Sequence, residues 1–431
     1  MFHDIIKDCE RRNSMDLTPL HAIYPDLYGK EYSEQDMDNR FASLIDEHIK
    51  QFGVSNPMLF SASGRTEIAG NHTDHNLGKV IGASVNLDTI AAVSTRDDGK
   101  VILASEGFDR VEIDLEELDV KENEKNSTQA LLRGIAATFK EKGLKIGGWQ
   151  ANTTTRVLKG SGLSSSAAIE VLCAEIFNSL FNDNKLTPIE IAQIGKVAEN
   201  IYFGKPSGLL DQACCAHGGI IGIDFENQDS PVVTPLQVDF STYGYTMVIT
   251  DTRGDHADLT DEYATIPPEM REVAAFFGKT NLREVEFEDF LENIGELRAK
   301  LKNDRALLRA YHFFTENRRV DMMLKELKRG DIDSFLCNVE QSGNSSFRFL
   351  QNVYPSSRPQ EQGLSLAIAI GEEILAEDGA IRVHGGGFAG TVQAYVPNHL
   401  LSKFIKTMEL LFGENCCTKI AIRQKPVCRI L

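Results

Sequence analysis

The stretch that most limits how this chain can fold is LKGSGLSSSAAIEVL, residues 158–172. Gly160 and Gly162 lead a turn into Ser164, Ser165 and Ser166, and an Ala-rich apolar run follows. That run has the composition of a helix, and serines at its start are natural N-caps. Glycine lets a backbone approach a ligand closely because no side chain intervenes. The free N–H groups of a first helical turn, with the positive end of the helix dipole, form an anion site. The stretch therefore reads as a phosphate cradle. It is not a Walker loop, because no Gly-Lys-Ser/Thr follows, and it lacks the GxGxxG spacing of a dinucleotide fold.

At 431 residues the chain exceeds one simple core and calls for two domains or one bilobal unit. A formal net charge of −18 argues against a nucleic-acid surface. A nucleotide could still be held by backbone amides, a cation and a few basic side chains. Eight cysteines are scattered at 9, 173, 214, 215, 337, 416, 417 and 428, with no CxxC pair. They read as packing residues of a reducing compartment. MFHDIIKDCERRNS has no apolar core of a signal peptide, and no run approaches a membrane span. The expectation is a cytoplasmic protein, monomeric or weakly dimeric, that binds no nucleic acid and no membrane.

Phe41, Leu44, Ile45 and Ile49 share one face of a helix that should stop at Gly53. MLFSAS, VIGASVNL and TIAAVSTR then read as short strands, and VILAS (101–105) as the hairpin partner of the last across Asp97-Asp98-Gly99. Residues 127–142 read as helix and WQANTTTRV (149–157) as strand. A further helix spans 187–203, with Thr187 as cap, Pro188 first and Glu190 at the capping-box position. Strands follow at 220–225 and 245–251, and 262–350 is mostly helical with solvated charged faces. GAIRVHGGGFAGTVQAYV (379–396) is strand, glycine turn and strand; a helix over 398–411 and a final strand complete the chain. This is a mixed α+β protein dividing near 220–245 into an N-terminal lobe (1–235) and a C-terminal lobe (236–431).

Three further segments carry candidate chemistry. GRTEIAGNHTDHNLG (64–78) is too polar for a core strand, and His72 and Asp74 could both hydrogen-bond sugar hydroxyls. Asp211 stands in a stretch of small apolar residues, GLLDQACCAHGG (208–219), where a carboxylate is either paired or functional. VHGGGFAGT (383–391) sets three glycines between strands, so backbone can come close to something.

Taken in order, these segments resemble the GHMP kinase superfamily and, within it, the galactokinases. GRTEIAGNHTDHNLG resembles the galactokinase signature, GSGLSSSAA the phosphate-binding motif and VHGGGFAGT the third motif. The resemblance runs from about Met58 to the end of the chain. It implies a two-lobed GHMP kinase fold of mixed sheets and helices, with the active site in the cleft between lobes. It also implies ATP and Mg²⁺ as cofactors and phosphoryl transfer to the anomeric hydroxyl of galactose or a related sugar. Asp211 would face that hydroxyl, with Arg65 beside it. Gly160, Ser161, Gly162, Leu163, Ser164, Ser165 and Ser166 would cradle phosphates, and Ser166 (or Ser165) and Glu199 would serve the metal. Asn71, His72, Asp74, Gly208 and Tyr263 would contact sugar. The rival of another class is a non-catalytic sugar- and ATP-binding regulator.

This chain departs from the family pattern at Asn71, where a Glu is usual, and at His75, where a Tyr is common. The third motif has Val383-His384 for Met-Thr and Ala389 for a Gly. An amide at 71 would remove a negative charge facing the sugar's C6 hydroxyl. On that basis a sugar with a carboxylate there, such as galacturonate, would be tolerated; L-arabinose is a further candidate.

Overall fold

A strand whose residues are small or apolar on both faces needs cover on both sides; β1 (Met58–Ala69) is of that kind through Gly64 and is buried along nearly its whole length. The computed structural model describes residues 15–157, 162–205, 207–228, 230–254 and 259–431. The first sheet contains β1, β2 (Lys79–Arg96), β3 (Lys100–Ser105), β4 (Val111–Asp114), β5 (Gly148–Thr155), β6 (Ile220–Asp224) and β7 (Val232–Leu236). The second contains β8 (Tyr245–Asp251), β9 (Ala380–Val383), β10 (Thr391–Pro397) and β11 (Cys417–Ile420), in the order β11-β8-β10-β9. The short β12 (Cys428–Arg429) returns to the first sheet and pairs with β1, so that sheet runs β12-β1-β2-β5-β3-β4. This is the expected α+β class with mixed sheets.

VIGASVNL and TIAAVSTR are not separate strands. They are one 18-residue strand, β2, whose outer edge pairs first with β6 (79–83) and then with β5 (89–96). The expected hairpin of TIAAVSTR with VILAS does not form. β5 inserts between them, antiparallel to β2 and parallel to β3. The helix Thr128–Glu141 carries the chain across to make that parallel pairing, and it brings Trp149 and Ala151, both wholly buried, beside Val101 and Leu103.

Helix Glu34–Phe52 forms as its pattern dictates. Ser33 accepts from the Asp36 N–H, Gly53 ends it in the left-handed region, and Met37, Phe41, Leu44 and Ile45 are buried. They pack with Leu59, Ile90 and Ala92 on the outer face of the first sheet. The other face is covered by helix Ser165–Phe181, buried from Ala167 through Cys173 but for Ile169, and by Leu210–His217. The capping box at Thr187 and Glu190 is present and starts Pro188–Val197, which continues as a wider turn through Ala198–Phe203. No helix among the described residues is long and apolar enough to cross a membrane.

Candidate active site

Strand β1 places two charged side chains on one face. Its pairing with β2 shifts register between Ser63 and Arg65 and again between Glu67 and Ala69. Bulges of this kind re-aim side chains, and between them Arg65 and Glu67 project to the same side. Arg65 is tied to the turn before the phosphate-loop helix, because its N–H donates to the Leu163 carbonyl at 2.9 Å and its Nη1 to the Gly162 carbonyl.

Opposite stands Asp211, in the first turn of Leu210–His217. Arg65 donates Nε to Oδ1 at 2.7 Å and Nη2 to Oδ2 at 3.1 Å. The Ser164 hydroxyl also donates to Oδ2. Burial alone would raise the Asp211 carboxyl, but the Arg65 charge and its hydrogen bonds, with that of Ser164, hold it below the usual carboxylate range. Ser164 is therefore not the side-chain cap that the sequence suggests. Its backbone is left-handed (φ 58°) and makes no capping bond, because the hydroxyl turns to Asp211. Leu163 is buried and Gly162 exposed, while Ser165 and Ser166 open the helix beside them. Gly160 and Ser161 lie outside the described residues.

A cavity of about 220 Å³ opens beside this pair, lined on one side by Glu67, Asn71, His72 and Asp74, and on the other by Glu199, Lys205, Gly208 and Asp211. Gly208 is required for the close approach of its two walls, since a Cβ there would lie 2.3 Å from Asp74 Oδ2. His72 adopts a left-handed backbone (φ 57°), and its Nε2 lies 3.0 Å from the Gly386 carbonyl oxygen. Burial raises the Asp74 carboxyl, partly offset by His72. Tyr263 does not line this cavity. Its hydroxyl donates to the Gly387 carbonyl at 2.7 Å, and its ring lies 6.2 Å from His72, so it braces the glycine turn. That turn needs glycine at 387 (φ +84°), where a Cβ would meet the Asn352 carbonyl at 2.0 Å.

The charge argument for Asn71 needs correction. Its amide donates to Glu67 Oε1 at 2.7 Å and to the Gly385 carbonyl at 2.6 Å, and its oxygen accepts from Asn352 at 2.6 Å. The cavity keeps a carboxylate, carried by Glu67 rather than by residue 71. Period-two reading of β1 from Arg65 would have found Glu67; nothing in the sequence marks Asn352. The departure at His384 also has a physical reading. Its Nε2 lies 3.0 Å from Thr66 Oγ1 and its Nδ1 3.0 Å from Thr391 Oγ1. Burial and the nearby Arg65 and Arg382 push its pKa down to about 3, so it is a neutral clamp joining β10 to β1.

Glu199 is buried at the cavity wall, its carboxylate accepting from Lys205 Nζ at 3.1 Å and from Gln212 Nε2 at 2.8 Å. A hard dication beside a nucleotide is usually held by one or two carboxylates plus phosphate oxygens and water. Glu199 supplies one such carboxylate at the cavity wall.

Two family models match: the GHMP kinase N-terminal domain over residues 130–219 and the galactokinase galactose-binding signature over 46–95. The chain is 31% identical to a galactokinase of Clostridium tetani over 366 residues, 84% of this chain and 90% of that protein. It is 28% identical to a galactokinase of Streptomyces coelicolor over 384 residues, 88% and 94% of the two chains. Among solved structures it resembles Lactococcus lactis galactokinase complexed with galactose, with a TM-score of 0.76 at 24% identity, covering 90% of this chain and all (100%) of that one. A mevalonate kinase structure matches with a TM-score of 0.61 at 15% identity, over 85% of this chain and 100% of the other.

Proposed function

The chain belongs to the galactokinase family of GHMP kinases, and from that premise we propose that it phosphorylates galactose at the anomeric hydroxyl, with the sugar in the cavity beside Asp211 and the nucleotide's phosphates at the start of helix Ser165–Phe181. The reading is carried by one observation: Arg65 and Ser164 both bind Asp211, and Arg65 also binds Gly162, so the cavity and the helix start share one set of charged contacts.

Phosphoryl transfer depends mainly on positioning and charge stabilisation. Asp211 accepts a hydrogen bond from the attacking hydroxyl and fixes its direction. With its carboxyl held low it is a weak base, so it orients the hydroxyl and takes the proton only late in transfer. Arg65 keeps Asp211 in place and adds positive charge where the phosphoryl group passes. His72 and Asp74 hold ring hydroxyls, Gly208 leaves room for them, Asn71 holds Glu67 within that wall, and Tyr263 supports it from behind. Gly160–Ser166 supplies N–H donors to the phosphates. Glu199 and Ser166 would hold Mg²⁺, which when bound neutralises charge on the phosphate oxygens.

The test is a coupled ADP-release assay over galactose, galacturonate, L-arabinose, N-acetylgalactosamine and glucose, with NMR of the product. Galactose should give the highest kcat/KM and a 1-phosphate. ADP release that no sugar stimulates, or phosphate on another hydroxyl, overturns the reading.

A further inference from the structure

We propose that Glu67 sets which sugars this site accepts: its open oxygen takes a hydrogen bond from a hydroxyl remote from the reacting one, and its charge turns away sugars bearing a carboxylate there. The proposal rests on the sugar-kinase reading above. Glu67 and Arg65 lie two residues apart in regular register with Gly82 and Ser84. They therefore share a face and stand roughly 7 Å apart along the strand. Asp211 is fixed to Arg65. A monosaccharide with its reacting hydroxyl on Asp211 thus extends along β1 toward Glu67.

The two oxygens of Glu67 differ. Oε1 receives the Asn71 amide at 2.7 Å. No donor among the described residues reaches Oε2, and Glu67 lines the cavity. Arg382 Nη2, itself buried without a hydrogen bond, stands 3.7 Å from Oε1 and offsets the carboxylate's charge from behind. The side chain is thereby held at the back while one acceptor is presented forward. Asn71 cannot serve in its place: it is wholly buried, both amide hydrogens are given to Glu67 and Gly385, and its oxygen is taken by Asn352. Asn71 is a positioning residue for Glu67. A neutral hydroxyl donates to Oε2; a carboxylate at that point brings a second negative charge into a partly enclosed site.

The experiment compares wild type with Glu67→Gln, which keeps shape and removes charge, using kcat/KM for galactose and galacturonate and calorimetric binding of each sugar without nucleotide. Wild type should favour galactose at least ~100-fold. Glu67→Gln should lose roughly 10–100-fold on galactose and narrow the galactose-to-galacturonate ratio at least tenfold in both turnover and binding. If Glu67→Gln does not fold by circular dichroism, Glu67→Asp replaces it, and it should still exclude galacturonate while its KM for galactose rises. A wild type that uses both sugars equally, a folded Glu67→Gln with its ratio unchanged within twofold, or a Glu67→Asp that admits galacturonate overturns the role of Glu67. A wild type that turns over no sugar at all overturns the kinase reading instead.

Discussion

Arg65 grips both oxygens of Asp211, Nε to Oδ1 at 2.7 Å and Nη2 to Oδ2 at 3.1 Å, while its remaining nitrogen holds the Gly162 carbonyl. A planar fork of fixed geometry suits this double engagement, and a lysine cannot reproduce it. One side chain thus sets the distance between a carboxylate on one helix and the turn that opens another.

Removing that fork should slow chemistry more than it weakens sugar binding. Arg65→Ala is expected to lower kcat on the order of 10²–10³, with Arg65→Lys restoring only a minor part. Steady-state kinetics with galactose, beside a thermal melt to confirm folding, checks this. A near-normal kcat in Arg65→Ala would mean that the contact to Asp211 has no part in transfer.

The depressed Asp211 carboxyl has a defined pH consequence. Because its folded-state pKa lies below the unfolded value, its stabilising contribution is complete above about pH 4 and is lost as pH falls through the folded value. Asp211 should therefore contribute no acid limb to kcat/KM between about pH 5 and 8. Asp211→Asn should reduce kcat across that range without changing the profile's shape. An acid limb near neutrality that disappears in Asp211→Asn contradicts this.

Gly208→Ala places a methyl where only 2.3 Å separates its position from Asp74 Oδ2. Asp74 must swing away, so KM for sugar should rise about tenfold or more while KM for ATP stays within twofold. Parallel titrations of the two substrates measure it, and equal changes in both would refute it.

Glu170 is a buried acid whose carboxyl burial, with the charge of Glu199 next in weight, pushes up to about 9. The folded chain keeps a proton that the unfolded chain releases above about pH 4, so stability falls as pH rises toward 9. Glu170→Gln cannot titrate. Its Tm should decline less than that of wild type between pH 5 and pH 8, leaving the variant a few degrees ahead at pH 8. Melts in a buffer series decide it; parallel slopes would mean that Glu170 does not carry this proton.

Local signals were legible and long-range ones were not. The capping box at Thr187, the helix ended by Gly53 and the glycine turn between β9 and β10 each depend on neighbours in sequence. The partner of VILAS depends on a helix crossing the sheet, which no local pattern specifies. The same division holds in the site. Arg65, His72, Asp74, Gly208 and Asp211 sit in segments whose polarity or small size is out of place for a core, and they converge. Glu67 does not stand out in the sequence, because segment 64–78 reads as too polar for a core strand. Residues 64–69 are instead the buried second half of β1, with bulges on either side of Arg65 and Glu67. Ser164 looks like a cap until Asp211, forty-seven positions on, claims its hydroxyl.

The pairing of β12 with β1 has a consequence for how the chain reaches this form. Phe60 lies against Arg429, and the Leu59 N–H is taken by the Leu431 carbonyl. The strand that presents Arg65 and Glu67 stays open along one edge until residues 428–431, far along the chain, pair with it. Until then that edge is a ready template for stray pairing. Closure over so long a sequence separation is entropically slow. The floor of the cleft is thereby completed only by a contact between distant parts of the chain.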